Sequence, residues 1–558
     1  MEFKNKVVDL IKTQVDLPEE KIFALIERPK NAEMGDYAFP AFILAKTLHK
    51  NPAEIAKEIA EKISDPAFAK IQAVGPYVNF SIDHRELISK TLEEVLIKKD
   101  NYGNSILGTG NVTIDMSSPN IAKPMSMGHL RSTVIGNSIA KLLTKTGYTP
   151  IKINHLGDYG TQFGKLITAY KLWGNEEDVK KDPINSLFHY YVKFHKEAEE
   201  KPELEDEGRA WFKKLEEGDE EAVSLWKWFR SASLEEFNRI YKELEVEFDS
   251  YHGEAFYNDK MAAVVDELRQ KNLLVESRGA QVVDLGPDKN PAMILKSDGT
   301  SIYTTRDLTA AEYRKKHYDF VKSLYVVGNE QSAYFEQLKE VLKKMGYDWS
   351  DDIYHIPFGL ITQGGKKLST RKGNVVFLDQ VLKDAVDLAL KQIEAKNPTL
   401  PNKEQVAKEV GIGAVVFHDL KNDRLDSFDF DLEDVVRFEG ETGPYVQYTN
   451  ARAQSILRKA GQTVTIDELD LSDDWAFAVA KDLADFPMTV AKASEKFEPS
   501  IIAKYALKLA KSFNKYYANV RILDENEELP ARLALVKATS MVLTQSLNLL
   551  GVNAPKEM

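Results

Sequence analysis

A chain of 558 residues, 43% hydrophobic and 29% charged, is long enough for several cores and has the balance of an ordinary folded protein. It contains no cysteine, which excludes disulfides, thiol catalysis and cysteine-ligated zinc or iron–sulfur clusters. A formal net charge of −13 argues against indiscriminate nucleic-acid binding but leaves room for a local basic track.

Residues 1–105 read as a separate α+β module. Helical spacing covers 4–13 and 52–62, and short apolar runs at 22–26 and 77–82 read as strands. Between them, Met34-Gly35-Asp36-Tyr37-Ala38-Phe39-Pro40 suits a packed turn better than a site. The start mixes charged with apolar residues and has no signal-peptide core. With no apolar run long enough for a bilayer, a cytoplasmic location is expected. Breakers crowd 99–110 and mark the first boundary.

Next comes a βαβ unit. Residues 112–116 form a buried-strand pattern, and Leu130, Val134, Ile135, Ile139, Leu142 and Leu143 recur at helical spacing until Gly147. Residues 151–153 supply the second strand. The crossover helix opens on Gly128-His129, where unpaired N–H groups and a partial positive charge suit a phosphate. Gly128 lets a flat base or a phosphate approach the backbone, and His129 adds a donor or a charge. Taken alone, such a pair describes a solvated cap, and the segments further along give it weight.

Asn154-His155-Leu156-Gly157-Asp158-Tyr159-Gly160-Thr161-Gln162-Phe163-Gly164 ends a strand with the polar groups and glycines of a binding crevice. Residues 175–270 are charged and largely helical, for example at 184–200 and 234–247, and offer only a solvated surface. A second α/β half follows, with strands at 281–285, 292–296 and 301–305, a helix at 307–316, a strand at 323–328, a helix at 333–345 and a strand at 355–361. It ends in a loop, 363–374, with glycines near both ends and the cations Lys366, Lys367, Arg371 and Lys372. From Asp379 onward the pattern is almost purely helical, interrupted at Gly440-Glu441-Thr442-Gly443-Pro444. The helix around 501–521 carries Ile502, Ala506, Leu509, Phe513, Tyr516 and Val520 on one stripe and Lys504, Lys508, Lys511 and Lys515 on the opposite one. No acid interrupts the lysine stripe, which reads as a solvated face or a phosphodiester track.

Ser126-Met127-Gly128-His129 resembles the HIGH signature of class I aminoacyl-tRNA synthetases, and Lys367-Leu368-Ser369-Thr370-Arg371 resembles their KMSKS signature. The arginine family is indicated by Ser117-Ser118-Pro119-Asn120-Ile121-Ala122-Lys123-Pro124 and Gly128-His129-Leu130-Arg131-Ser132-Thr133. Residues 154–164, Tyr303-Thr304-Thr305-Arg306-Asp307, Thr370-Arg371-Lys372-Gly373 and Tyr445-Val446-Gln447-Tyr448-Thr449-Asn450-Ala451-Arg452 also match it. The chain therefore resembles the arginyl-tRNA synthetase family over its whole length.

That resemblance implies a multidomain α/β plus α fold. Residues 1–105 would be an N-terminal tRNA-contacting module. Residues 106–440 would form a class I Rossmann-type catalytic domain, with a helical insertion at about 171–280 and a stem-contact region at about 380–440. Residues 441–558 would form an all-α anticodon-binding bundle. The implied reaction is ATP-dependent attachment of L-arginine to its tRNA through arginyl-adenylate, for translation. The family is usually monomeric, and arginine activation typically needs bound tRNA. Nucleotidyl transfer runs by positioning and charge stabilisation, so no protein nucleophile is needed. Mg²⁺ would accompany ATP without a dedicated protein site.

By resemblance, Ser126, Gly128, His129, Lys367, Ser369, Arg371 and Lys372 serve ATP. Asp115, Ser117, Asn120, His155, Tyr303, Asp307 and Gln331 serve arginine, with Asp115 and Asp307 as guanidinium acceptors. Tyr445, Tyr448, Arg452 and the four lysines at 504, 508, 511 and 515 serve tRNA. One departure is Ser126, where the signature has histidine: serine can donate a hydrogen bond but carries no charge, which shifts phosphate work to the Lys367 loop. The alternative is a catalytically silent tRNA-binding paralogue with Ser126 as its lesion. The intact Lys367 loop and the complete set of arginine-pocket residues argue against it.

Overall fold

A computed structural model describes residues 2–363, 366–367, 377–467 and 469–558. In the N-terminal module, helices Glu2–Lys12, Pro52–Lys62 and His84–Lys98 pack on an antiparallel sheet of β1 (Tyr37–Pro40), β2 (Phe68–Val74) and β3 (Tyr77–Ile82), in the order β1-β3-β2. Two of the helices begin as their sequences dictate: Asn51 accepts from the Ala53 N–H, with Pro52 following, and Asp83 accepts from the Glu86 N–H. The run at 22–26, expected as a strand, lies instead in the helix Glu19–Leu25. Pro18 and two acids in the first turn start that helix, and only Ile22 of its residues is buried, so one apolar face sufficed to mimic a strand.

The middle of the chain is built on a parallel sheet, in the order β10-β9-β4-β5. Its strands are β4 (Asn111–Asp115), β5 (Thr149–Ile153), β9 (Phe320–Gly328) and β10 (Ile353–Phe358). The crossover helix Met127–Lys145 joins β4 to β5 and packs close, because a Cβ at Gly136 would lie 2.5 Å from the Met116 sulfur. Strand order reverses between β4 and β9, and the crevice outside their carboxyl ends is where this architecture binds ligands. Helices between Thr161 and Glu243 form the insertion, followed by a small antiparallel sheet of β6 (Leu274–Ser277), β7 (Ala280–Val283) and β8 (Ala292–Leu295).

Two expectations about the second half change. The segment at 301–305 is not a strand: Ser301 makes one bridge to Leu295, and the helix Tyr303–Tyr318 starts at once, ahead of the expected start at 307. The strand expected at 355–361 is broken after Phe358 and resumes as β11 (Ile361–Gln363) in a separate sheet with β12 (Lys366–Lys367) and β13 (Phe428–Asp429). The break falls at Gly359, where a Cβ would meet the Leu425 and Asp426 carbonyl oxygens at 2.6 Å.

The C-terminal third packs Gly443–Ala460, Asp474–Ala484, Phe486–Glu495 and Ser500–Asn519 around Leu529–Leu549, which is apolar on all sides and almost wholly buried. The N-terminal module docks against this bundle. His84 stacks on Phe477 with ring centroids 3.7 Å apart, and Arg28 pairs with Asp485 at 3.1 Å. Lys481 pairs with Asp36, and the Tyr102 hydroxyl donates to the Leu483 carbonyl at 2.9 Å. Among the described residues, no helix is long and apolar enough to cross a membrane.

Candidate active site

The turn after β4 is under backbone strain. Ser117, Ser118 and Ala122 all take positive φ, at 70°, 50° and 60°, in the region L-residues seldom enter. Hydrogen bonds hold it there: the Ser117 N–H donates to Ser132 Oγ at 2.8 Å, the Ser118 N–H to Asn154 Oδ1 at 3.2 Å, and the Ala122 N–H to Ser233 Oγ at 2.9 Å. Ser132, on the crossover helix, passes its own proton to the Val326 carbonyl at 2.7 Å and so ties β9 to the turn.

The crossover helix begins with a reciprocal cap. The Ser126 N–H donates to His129 Nδ1 at 3.0 Å, with Ser126 Oγ 3.1 Å from the same nitrogen. This arrangement fixes Nδ1 as an acceptor and leaves Nε2 with the proton. Burial, helped by the charge of Lys123, pushes His129 down to about 4. His129 is therefore a neutral donor at physiological pH. Ser126 holds that ring at the helix start, a role the resemblance did not suggest for it. Gly128 is exposed, and a Cβ there would meet only Ser126 Oγ, at 3.7 Å, which leaves an open face.

Between the halves lies a cavity of about 390 Å³ lined by residues from both. Gly128, His129, Val327, Gly328 and Phe358 line one part, and Asp115, His155, Tyr303, Asp307, Gln331 and Tyr334 line another. Asp307 sits one turn inside its helix rather than at its cap, and the Tyr334 hydroxyl donates to Oδ2. Burial pushes Asp307 above the ordinary carboxylate range, against the lowering pull of His155 and of the Tyr334 hydrogen bond. Burial likewise holds His155 below its usual value, and its Nδ1 has no hydrogen-bond partner.

Asp115 is already engaged. Its Oδ2 accepts from Arg314 Nη2 at 2.7 Å, and its Oδ1 accepts from Ser118 Oγ at 2.9 Å. Arg314 comes from the helix that carries Tyr303 and Asp307, and only 1% of its side chain is exposed. Sequence reading missed it, because Tyr313-Arg314-Lys315-Lys316-His317 resembles a solvated helix end. Ser117 lines the cavity, but its hydroxyl is bonded to the Tyr241 hydroxyl at 2.7 Å. Asn120 is exposed and folds over Gly157, outside the cavity lining, as is Ser126. Tyr303 is 61% exposed at the mouth, its ring 5.2 Å from that of Tyr334.

A second buried cation was also missed. Arg131 donates to the carbonyls of Gly359 at 2.8 Å and Asp426 at 3.0 Å, and pairs with Asp419 at 3.3 Å, between the Phe358 and Phe428 rings. The signal in the sequence was an arginine inside the otherwise apolar face Leu130, Val134, Ile135. This side chain connects the His129 helix to the strand break that leads into β11 and β12. Ser369, Arg371 and Lys372 lie outside the described residues, and Lys367 is described through its backbone only.

The lysine stripe on Ser500–Asn519 is not bare in three dimensions. Lys504 pairs with Asp423 at 2.5 Å, Lys508 with Asp482 at 2.6 Å, and Lys511 with Glu441 at 2.7 Å. The acids come from other segments, so the helix's own sequence could not show them. Among the described residues, Lys515 alone of the four has no ion pair. Arg452 lies over the rings of Tyr448 and Tyr517, at 5.2 and 4.8 Å, and Tyr445 accepts from Asn514 at 3.0 Å.

Family models match nearly the whole chain: "Arginyl tRNA synthetase N terminal domain" over residues 1–82, "tRNA synthetases class I (R), catalytic domain" over 91–432, and "DALR anticodon binding domain" over 446–558. Similar curated proteins include an arginine–tRNA ligase of Lactobacillus johnsonii, 77% identical, and one of Lactobacillus acidophilus, 75% identical, each covering 100% of both chains. Among solved structures, the arginyl-tRNA synthetase of Thermus thermophilus is similar with a TM-score of 0.81 at 27% identity, covering 100% of this chain and 99% of its own.

Proposed function

Because this chain belongs to the arginyl-tRNA synthetase family and attaches arginine to its tRNA in an ATP-dependent reaction, we propose that the cavity between β4 and β9 holds both small substrates. Arginine lies on the Asp307 side and ATP on the side of Gly128 and His129. The observation that carries this division is Asp307, a half-buried carboxylate facing the cavity, which accepts from the Tyr334 hydroxyl. A planar, permanently charged guanidinium fits such an acceptor, and an ammonium cannot match its two-pronged geometry. Tyr303 and Gln331 line the mouth and face the amino-acid end, with His155 deeper in the pocket.

In the first step an arginine carboxylate oxygen attacks the α-phosphorus and pyrophosphate leaves. In the second, a ribose hydroxyl of the 3′-terminal adenosine attacks the arginyl carbonyl and AMP leaves. His129 serves as a neutral Nε2–H donor to phosphate oxygens, and Lys367, Ser369, Arg371 and Lys372 supply the remaining charge and donors. Adenine packs against Gly128 and the Val327–Gly328–Phe358 wall. Mg²⁺ enters with ATP, is given no protein ligand and carries no step here. Residues 1–105 contact the outer corner of the tRNA and residues 441–558 read the anticodon, with Tyr445, Tyr448 and Arg452 at the base-reading end.

The test is arginine-dependent ATP–pyrophosphate exchange, with and without tRNA, on the native chain and on Asp307→Asn. The variant is expected to raise the arginine KM by about a hundredfold or more while moving the ATP KM by only a few fold, the loss expected for one charge-assisted buried contact. An unchanged arginine KM, or exchange driven by another amino acid, would overturn the assignment.

A further inference from the structure

We propose that Arg314 is a built-in counter-charge that sets the arginine pocket to one net negative charge, and so matches it to a substrate bearing one positive charge. The inference rests on the reading of the cavity as the arginine site. Two carboxylates, Asp115 and Asp307, face that cavity, and one guanidinium, Arg314, sits among them. Two negative charges against one positive leave a single negative charge for the incoming guanidinium to cancel.

The geometry supports a charge-setting role over a merely structural one. Arg314 spends one nitrogen on Asp115, while its Nε and Nη1 are buried without a hydrogen-bond partner. A side chain kept only to knit the fold together would be expected to have its remaining donors satisfied. It lies instead beside Tyr325, with the guanidinium 5.3 Å from the ring centroid, and the buried Tyr325 hydroxyl is also unpartnered. The histidine and tyrosines facing the two acids are His155 from the segment after β5, Tyr257 from the turn before β6, Tyr325 from β9 and Tyr334 from the helix Ser332–Lys344. All are neutral at physiological pH: burial lowers His155 and raises the three tyrosines. Glu254, which also acts on Asp307, is matched by Arg306, so among the described residues Arg314 is the fixed cation that acts on both Asp115 and Asp307. Without it, two carboxylates share a site of low polarity, and one holds a proton that arginine must displace.

The experiment compares arginine KM across pH 6–9, by tRNA charging, in a charge series. Arg314→Gln should move the acid limb of the KM profile up by about one pH unit or more, with KM rising about tenfold per pH unit below it. Arg314→Lys, which keeps the charge, should leave the limb where the native chain has it. Asp115→Asn leaves the pocket with no net charge and should raise KM at neutral and higher pH while moving the limb down. The double variant Asp115→Asn/Arg314→Gln restores one net negative charge, so its limb should return to the native position and its KM should fall below that of Asp115→Asn. An unmoved limb in Arg314→Gln, or a double variant no better than Asp115→Asn, would overturn the proposal. If Arg314→Gln does not fold, the double variant set against Asp115→Asn decides in the same way. Failure of the underlying reading looks different: Asp307→Asn would then leave the arginine KM untouched.

Discussion

His129 shows how a single backbone contact can choose a side chain's chemistry. The N–H of Ser126 occupies Nδ1, and burial pushes the ring down to about 4, well below an unfolded histidine near 6.5. Between those values the unfolded chain binds more protons than the folded one, so stability rises with pH. The neutral ring's contribution is fully present above about 6.5 and is lost as pH falls towards 4, on the order of 3 kcal/mol. Melting curves across that window should flatten in His129→Asn. Ser126→Ala keeps the backbone donor, so it should lower kcat less than about tenfold, whereas His129→Ala should cost about a hundredfold. A steady-state comparison of the two separates a ring-holding serine from a phosphate-binding one.

At the level of elements, the Met127–Lys145 helix and the strand break at Gly359 share one buried link, Arg131. Burial pushes its partner Asp419 up to about 6, opposed by Arg131. Arg131→Met strands that carboxylate and should destabilise the catalytic domain by about 3–5 kcal/mol, seen as a lower urea midpoint. Removing both charges together should cost less. On the Ser500–Asn519 helix, Lys515→Ala should weaken tRNA binding and reduce its salt dependence by about one counterion, with smaller effects for the ion-paired Lys504, Lys508 and Lys511. Filter binding at several salt concentrations reads both quantities. These elements also show where sequence reading reaches and where it stops. The βαβ unit was legible because local periodicity and Gly147 define it, and Asp307 and His155 were legible through motifs. Arg314, the acids opposite the lysine stripe and the helix at Glu19–Leu25 were not, because their environments are made by chain segments far away in sequence.

Across the whole molecule, the two parts proposed to grip tRNA touch each other directly, through Arg28 with Asp485, Asp36 with Lys481, and His84 on Phe477. A tRNA held at both ends would then meet a frame closed behind it. Arg28→Ala/Lys481→Ala should loosen this contact and raise the tRNA KM several fold while leaving the arginine KM unchanged, since surface ion pairs are each worth about 1 kcal/mol or less. Charging assays at varied tRNA would show it. The same clasp has a consequence for the time course of synthesis. Arg28 and Asp485 are 457 residues apart. At about 5–20 residues per second, roughly 20–90 seconds pass on the ribosome between the two. Throughout that interval the finished N-terminal module carries an uncovered docking face, so its solubility on the nascent chain must come from its own core, and the last helices to emerge are the ones that complete its surface.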